Sequence, residues 1–369
     1  MERLVKGRLI THLEMNNLIG DSQHGFRNKR SCLPSLLDFF AQVIDTYDTD
    51  NNKAVDLVYL DFQKAFDKIP HERLMLKINA HGIQGDAARR IRSWLAGRRQ
   101  RVCINQSYSN WAPVTSGVPQ GSVLGPLLFL IYIYIYINDL DINIVSKMSK
   151  FADDTKLFHR SRNPDDIMEL QEDINKLVEW ANKWKRSFNV DKCSVMRIGH
   201  NDMQSNYNMS NQQLPTTDQQ RDVGIIITKD LKWQKQTEKS CKMANRVLGF
   251  IASNFRYKNK KLILPLYKSI VRPHLEHAVK FWSSNLRRDI DKIEKIQRTA
   301  TKMIPEIRNH SYYQRIQDLD LISLVQRRLR GQLIEVFKYL NEFTTASARG
   351  LFDYEINDRT RNNGEKFIV

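Results

Sequence analysis

VDLVYLDF, residues 55–62, decides the fold. Its side chains are apolar, β-branched or aromatic, and they follow one another without the alternation of a half-exposed strand. The segment therefore reads as a strand buried on both faces. Two acids interrupt it, Asp56 in the middle and Asp61 near the end. Further on, SKFADDTKLF (149–158) sets Asp153 and Asp154 side by side between short pieces of strand character. Adjacent like charges repel unless water or cations neutralise them. An aspartate-rich hairpin turn accounts for that pair by itself. Joined to a strand-end carboxylate, the same pair becomes an oxygen-ligand site suited to Mg2+. Two such ions about 3.5–4 Å apart can activate a hydroxyl and stabilise a leaving oxygen in phosphoryl transfer.

Working outward, Pro70 opens a polar helix, HERLMLKINAHG, that Gly82 can end. A second helix is expected from about Asp86 to Ala96. Arg89, Arg90, Arg92, Arg98, Arg99 and Arg101 crowd its end, either as a solvated terminus or as a stripe that contacts phosphates. GVPQGSVLGP (117–126) is a loop where backbone comes close to a partner, or a rigid turn ahead of an apolar helix from Ser122 to Ile137. From Asn163 to Arg186 the helix signals are complete. Asn163 can cap, Pro164 suits the first position, and Asp165 and Asp166 face the positive end of the dipole. Ile167, Leu170, Ile174, Leu177, Ala181 and Trp184 recur at helical spacing as a core stripe. The Asn/Gln-rich segment from Asn201 to Gln220 reads as an exposed loop between subdomains. VGIII (223–227) is a strand candidate, and from Thr237 to Leu340 the pattern is helical and basic.

The chain of 369 residues allows two or three domains, and 41% apolar residues make it globular. Its 58 Lys and Arg against 41 Asp and Glu leave a net charge of +17, which favours an anionic partner. The longest apolar run, Leu127 to Ile137, has 11 residues, short of the ~20 that span a bilayer. The N-terminus lacks the apolar core of a secretory signal. Cys32, Cys103, Cys193 and Cys241 form no CxxC pair. A disulfide scaffold, a zinc module and a membrane-spanning protein are thus excluded, and a reducing, intracellular compartment (nucleus or cytoplasm) is expected.

Six motifs stand in order: QHGFRNKRSC (23–32), VYLDFQKAFDKIPHERL (58–74), SGVPQGSVLGPLLFLIY (116–132), KFADDTKLF (150–158), WANKWKRSFNVDKCSVM (180–196) and DVGIIITKDLKW (222–233). Together they resemble the reverse transcriptase of non-LTR (LINE-type) retrotransposons of the jockey/CR1-like branch, and the likeness covers nearly the whole chain. It implies an α/β (α+β) right-hand polymerase with partial fingers, a palm bearing an antiparallel sheet, and a helical thumb-like C-terminal region. By this likeness residues 1–200 are partial fingers and palm, 201–220 an exposed polar loop, and 221–236 a primer-grip-like segment. Residues 237–343 are a basic helical thumb or connection region, and 344–369 a weakly defined tail. It implies RNA-directed DNA synthesis from an RNA template, a DNA primer and dNTPs, with two Mg2+ ions and Mn2+ as an alternative. Asp61 and Asp153 would hold both metals and Asp154 would assist. Phe66 matches the bulky residue that excludes a 2′-hydroxyl. Gln120 and Gly121 match the loop that touches nucleotide and template. Lys192 matches a lysine proposed to protonate the leaving pyrophosphate, and Arg27 and Arg30 match fingers residues that contact template or triphosphate.

The chain departs from the pattern in three ways. Lys29 stands where a glycine is common, Gln236 stands near the usual place of a histidine, and FLIYIYIYINDL (129–140) carries four extra residues. Slippage at an AT repeat would encode that tract. Both ends read as cut, as in a truncated genomic copy. The competing expectation is a catalytically dead remnant that still binds nucleic acid.

Overall fold

The computed structural model describes residues 2–16, 18, 22–25, 27, 30–49, 54–63, 66–137, 140, 143–184, 186–199, 205–341, 343, 353–354 and 367–368. Lys29, residues 201–204 and nearly all of the tail 344–369 lie outside them. The chain divides into two compact units, residues 1–31 with 43–217, and residues 32–42 with 218–369.

In the first unit four antiparallel strands form one sheet, in the spatial order Lys147–Phe151, Asp154–Arg160, Ala54–Leu60 and Ser194–Gly199. All seven residues of the central strand Ala54–Leu60 are buried, as its unbroken apolar run requires. Fully burying a side chain such as Leu57 or Val58 contributes about 1.5–3 kcal/mol. The same core takes in Leu74, Met75 and Ile78 of the helix His71–Ala80. It also takes in Leu127, Leu128 and Phe129 of Gly125–Ile137, and Leu170, Ile174 and Leu177 of Pro164–Lys183. That last helix begins as its sequence demands. The Asn163 side chain accepts a hydrogen bond from the Asp166 backbone N–H at 2.8 Å, and Pro164 opens the first turn. The helix His71–Ala80 stops where Gly82 takes a φ of 77°.

Three elements differ from the reading of the sequence. The strand expected over 223–227 begins only at Ile225, because Val223 and Gly224 form a turn at positive φ. The apolar helix starts at Gly125 and not at Ser122, because the Ser122 hydroxyl turns back to accept from Gly125 N at 2.9 Å. The segment expected as an exposed loop is partly buried. Ser205, Tyr207, Met209 and Leu214 are shielded from solvent, and a small hairpin pairs Asn208–Met209 with Gln212–Gln213. Val195 N donates to Pro215 O and Thr217 N to Val195 O, so this segment covers the edge strand of the sheet.

The second unit is mainly helical. A two-stranded ribbon, Gln219–Asp222 with Ile225–Thr228, turns at Val223 and Gly224, both at positive φ. Helices Gln234–Asn254, Arg287–Lys302 and Leu324–Leu340 follow, the last opened by a capping box at Ser323. Trp282, Ile293, Ile296 and Ala300 are buried in this unit, and Phe281 packs between Phe40 and Trp233.

Candidate functional site

Asp61 is the first residue beyond the central strand. Its backbone is pinned from the neighbouring chain: Asn189 N donates to Asp61 O at 2.8 Å, and Asp61 N donates to the Cys193 sulfur at 3.4 Å. The strand register pairs Leu60 with Thr155, which brings Asp61 to the turn that carries Asp153 and Asp154. That turn is tight, with Ala152 at φ 58°. Burial raises the proton affinity of Asp153 above that of an ordinary aspartate; a hydrogen bond from its own backbone pulls it back, the charge of Asp61 raises it and Arg186 lowers it. Asp154 is exposed. The Lys192 ammonium lies 3.9 Å from Asp61 Oδ2, with 65% and 38% of the two side chains exposed, so their mutual attraction is worth under about 1 kcal/mol. Burial, then the Asp61 charge, push the Cys193 thiol up to about 11, so it stays protonated near neutral pH.

The acidic turn is held from behind by a residue whose role the sequence did not disclose. Ser22–His24 runs parallel to the sheet's edge, with His24 N donating to Lys150 O and Lys150 N to Ser22 O. This brings Gln23 against the turn. Its Oε1 accepts from Ala152 N at 3.0 Å and from Gly25 N at 2.8 Å, while its Nε2 donates to Ala152 O at 3.2 Å. Gly25 passes so close that a Cβ there would lie 2.5 Å from Ala152 N. Arg27 and Arg30 both reach Gln23 O, at 3.5 and 3.0 Å, and so lie beside the acidic turn.

Phe66, Gln120 and Gly121 form a second group. Gly117 N donates to Ile69 O and Val118 N to Phe66 O, which joins the loop to the segment after Asp61. Gly117 sits at φ 85°, and a Cβ there would meet Asp67 O at 2.8 Å. The Phe66 ring stacks on Phe129, centroids 3.7 Å apart and 6° from parallel. Gln120 is exposed, and its Nε2 donates to Asp67 Oδ1 at 3.3 Å. Gly121 is exposed at φ 81°, a conformation that favours glycine.

Asp61 and Asp153 offer hard carboxylate oxygens, the donors Mg2+ takes. That chemistry suits a divalent ion, but among the described residues the ligand atoms of Asp61, Asp153 and Asp154 do not all lie within 4.8 Å of one another. At the other end of the strand Asp154–Arg160, His159, Asp166 and Glu169 bring one ligand atom each within 4.8 Å of one another. Here Arg162 already pairs with Asp166 at 2.9 Å, and a His159 ring nitrogen lies 3.3 Å from Glu169.

The family model described as "Reverse transcriptase (RNA-dependent DNA polymerase)" matches residues 1–251. The chain is 27% identical to the "Probable RNA-directed DNA polymerase from transposon X-element" of Drosophila melanogaster, over 82% of this chain and 34% of that protein. It is 25% identical to the "RNA-directed DNA polymerase from mobile element jockey" of Drosophila funebris, over 93% of this chain and 38% of that protein. The chain thus spans about a third of the length of these curated relatives. Among solved structures, the telomerase of Candida albicans in complex with a telomeric RNA fragment superposes with a TM-score of 0.51 at 13% identity, over 85% of this chain and 48% of that one. At that identity the likeness shows the fold, that of the right-hand polymerases. Among the described residues no helix is long and apolar enough to cross a membrane.

Proposed function

Since the chain belongs to the reverse transcriptase (RNA-dependent DNA polymerase) family, we propose that it is the RNA-directed DNA polymerase domain of a non-LTR retrotransposon. It extends a primer 3′-hydroxyl with dNTPs along an RNA template, in the nucleus or cytoplasm. The first unit, 1–31 with 43–217, holds most of the partial fingers and palm read over 1–200, and the helical second unit holds the primer-grip-like segment 221–236 and the thumb or connection region 237–343.

The observation that carries this reading is the strand register, Leu60 opposite Thr155, which sets Asp61 beside the turn that bears Asp153 and Asp154. In the proposal Asp61 and Asp153 hold two divalent ions, Mg2+ or Mn2+, with Asp154 assisting. Such ions, when bound, favour the ionised primer hydroxyl and stabilise charge on the transferring phosphate. The protein's own residues do the rest. Gln23 fixes the backbone of the turn, so that the Asp153 carboxylate meets Asp61 without reorganisation. Lys192, exposed beside Asp61, is the donor of a proton to the leaving pyrophosphate. Arg27 and Arg30, beside the turn, contact template or triphosphate. Gln120 and Gly121 present an exposed loop to nucleotide and template. Phe66, its ring fixed by stacking on Phe129, fills the space of a 2′-hydroxyl. Phe66→Ala should then admit ribonucleotides, and an unchanged preference for dNTPs would return Phe66 to the core.

Primer extension on poly(rA) with oligo(dT) and dTTP tests the reading. Divalent-dependent incorporation is expected. Retained RNA binding without any extension would leave a nucleic-acid-binding protein with no turnover.

A further inference from the structure

The helix Gly85–Leu95 runs into a hairpin over 99–113 that the rest of the chain leaves uncovered. Arg99–Gln100 pairs with Ala112–Pro113, and Cys103–Ile104 pairs with Ser107–Tyr108. The turn is made by Asn105 and Gln106 at φ 47° and 67°, the positive pair that suits a two-residue hairpin. Every residue from Arg99 to Pro113 is exposed. A hairpin this small normally keeps aromatic rings out of water by packing them on something. This one holds Tyr108 58% and Trp111 53% exposed.

The rings are held in place. The Arg101 guanidinium carbon lies 3.9 Å from the Tyr108 ring centroid and 4.6 Å from that of Trp111, so one cation is flanked by two aromatic faces. The surrounding charge is one-sided. Residues 85–116 carry six arginines against the single acid Asp86. At the root of the hairpin a cavity of about 660 Å³ opens, whose lining includes Arg98, Arg99, Gln100, Ser116, Asp67 and Gln120.

Flat rings and a guanidinium in a positive field match a ligand with exposed π-faces and a chain of phosphates. An unpaired nucleic-acid strand has both, whereas a duplex hides its base faces in the stack. We propose that the hairpin 99–113 is a stacking platform for single-stranded nucleic acid, with the cavity at its root leading the strand towards Gln120. This goes beyond the polymerase reading and does not depend on the acids, since a platform binds its strand whether or not turnover follows.

The test measures binding by the full chain to labelled 20-mers of unpaired RNA, unpaired DNA and blunt RNA–DNA duplex, by fluorescence anisotropy. Removing one stacking ring should weaken unpaired-strand binding about 5-fold or more. Trp111→Ala and Tyr108→Ala should each do so, with duplex binding changed less than about 2-fold, while Trp111→Phe keeps most of the affinity. Loss on both RNA and DNA assigns the contact to bases and phosphates, and loss on RNA alone assigns it to ribose as well. The substituted side chains lie outside the core, so an unchanged melting temperature is expected and separates lost stacking from lost folding. Asp61→Asn should bind unpaired strands like the wild type, so failure of the polymerase reading leaves this result standing. Equal losses on duplex and single strand would overturn the proposal. So would unaltered single-strand binding.

Discussion

Asp56 and Asp61 stand on one stretch of chain and interrupt the same apolar run, yet their surroundings differ. Asp56 is 1% exposed. Its Oδ2 accepts from Ser205 Oγ at 2.7 Å and from the Tyr207 hydroxyl at 2.8 Å, and Arg197 Nε lies 3.8 Å from Oδ1. Burial raises its proton affinity, while those hydroxyls and the arginine pull it back. Asp61 is more exposed and has a second carboxylate, Asp153, for a neighbour. A buried acid met by donors from its own chain is part of the structure. An acid set beside like charge, as Asp153 is beside Asp61, gains from any cation that binds there.

The largest effect expected from that contrast is on chemistry. Asp61→Asn or Asp153→Asn should lower primer extension by about 10³-fold or more, since an amide gives up the anionic ligand that transition-state charge stabilisation needs. Template binding and melting temperature should hardly move, because the substitution also removes a like-charge repulsion. Extension at the wild-type rate in either variant would remove the proposed centre.

Asp56→Ala should show the opposite profile. It leaves two hydroxyls and a nearby guanidinium without their acceptor, at a stability loss of about 3 kcal/mol. Extension well below the melting transition should stay near the wild-type rate, and Asp56→Asn should be milder because its amide oxygen still accepts. If Asp56→Ala abolishes extension while the chain remains folded, the two acids are not separable as argued.

The residues also show what a sequence can and cannot disclose. Asp61, Asp153 and Asp154 stand out in the sequence because acids against apolar or like-charged neighbours violate a local pattern. The helix Pro164–Lys183 was legible because its cap and its stripe are local too. Asp56 violated the pattern equally, but its partners Ser205 and Tyr207 come from a polar segment that reads as exposed loop. Gln23 was opaque for a similar reason, since the backbone it clamps is 129 residues away. Asp173 sits fully buried on an otherwise amphipathic helix to accept from Val145 N, Ser146 N and the Ser146 hydroxyl, a need that only the folded chain creates. The hairpin 99–113 leaves little trace in the sequence because its strands are two residues long and its turn is Asn-Gln instead of Asn-Gly.

Divalent ions should sharpen the contrast further. A ligand that binds only the folded state stabilises it by about 2.7 kcal/mol at 100 times its Kd. Mg2+ should therefore raise the melting temperature of the wild type and of Asp56→Asn, and leave Asp153→Asn unmoved. Equal shifts in all three proteins would mean that the ion binds elsewhere, with the group of His159, Asp166 and Glu169 the next to test.

The smallest effect is on the pH dependence of stability, and it distinguishes the two kinds of acid. Asp56 and Asp153 both hold a proton more tightly when folded than an unfolded aspartate does. Such a group binds more protons in the folded state. Its contribution is fully present below the unfolded value of about 4 and is lost as pH rises through the folded value. In EDTA both acids should thus give the melting temperature a shallow decline from about pH 4 upwards. The causes differ, however. Asp56 is raised by burial alone, which Mg2+ cannot change, whereas part of the rise at Asp153 comes from Asp61, whose charge a bound cation offsets. Mg2+ should therefore flatten the Asp153 share of the slope and leave the Asp56 share. Asp153→Asn in EDTA should mimic Mg2+ on the wild type, and Asp56→Asn should keep the Mg2+-sensitive share. A slope that Mg2+ alters to the same extent in wild type and Asp153→Asn would show that the proton and the cation do not compete at this carboxylate.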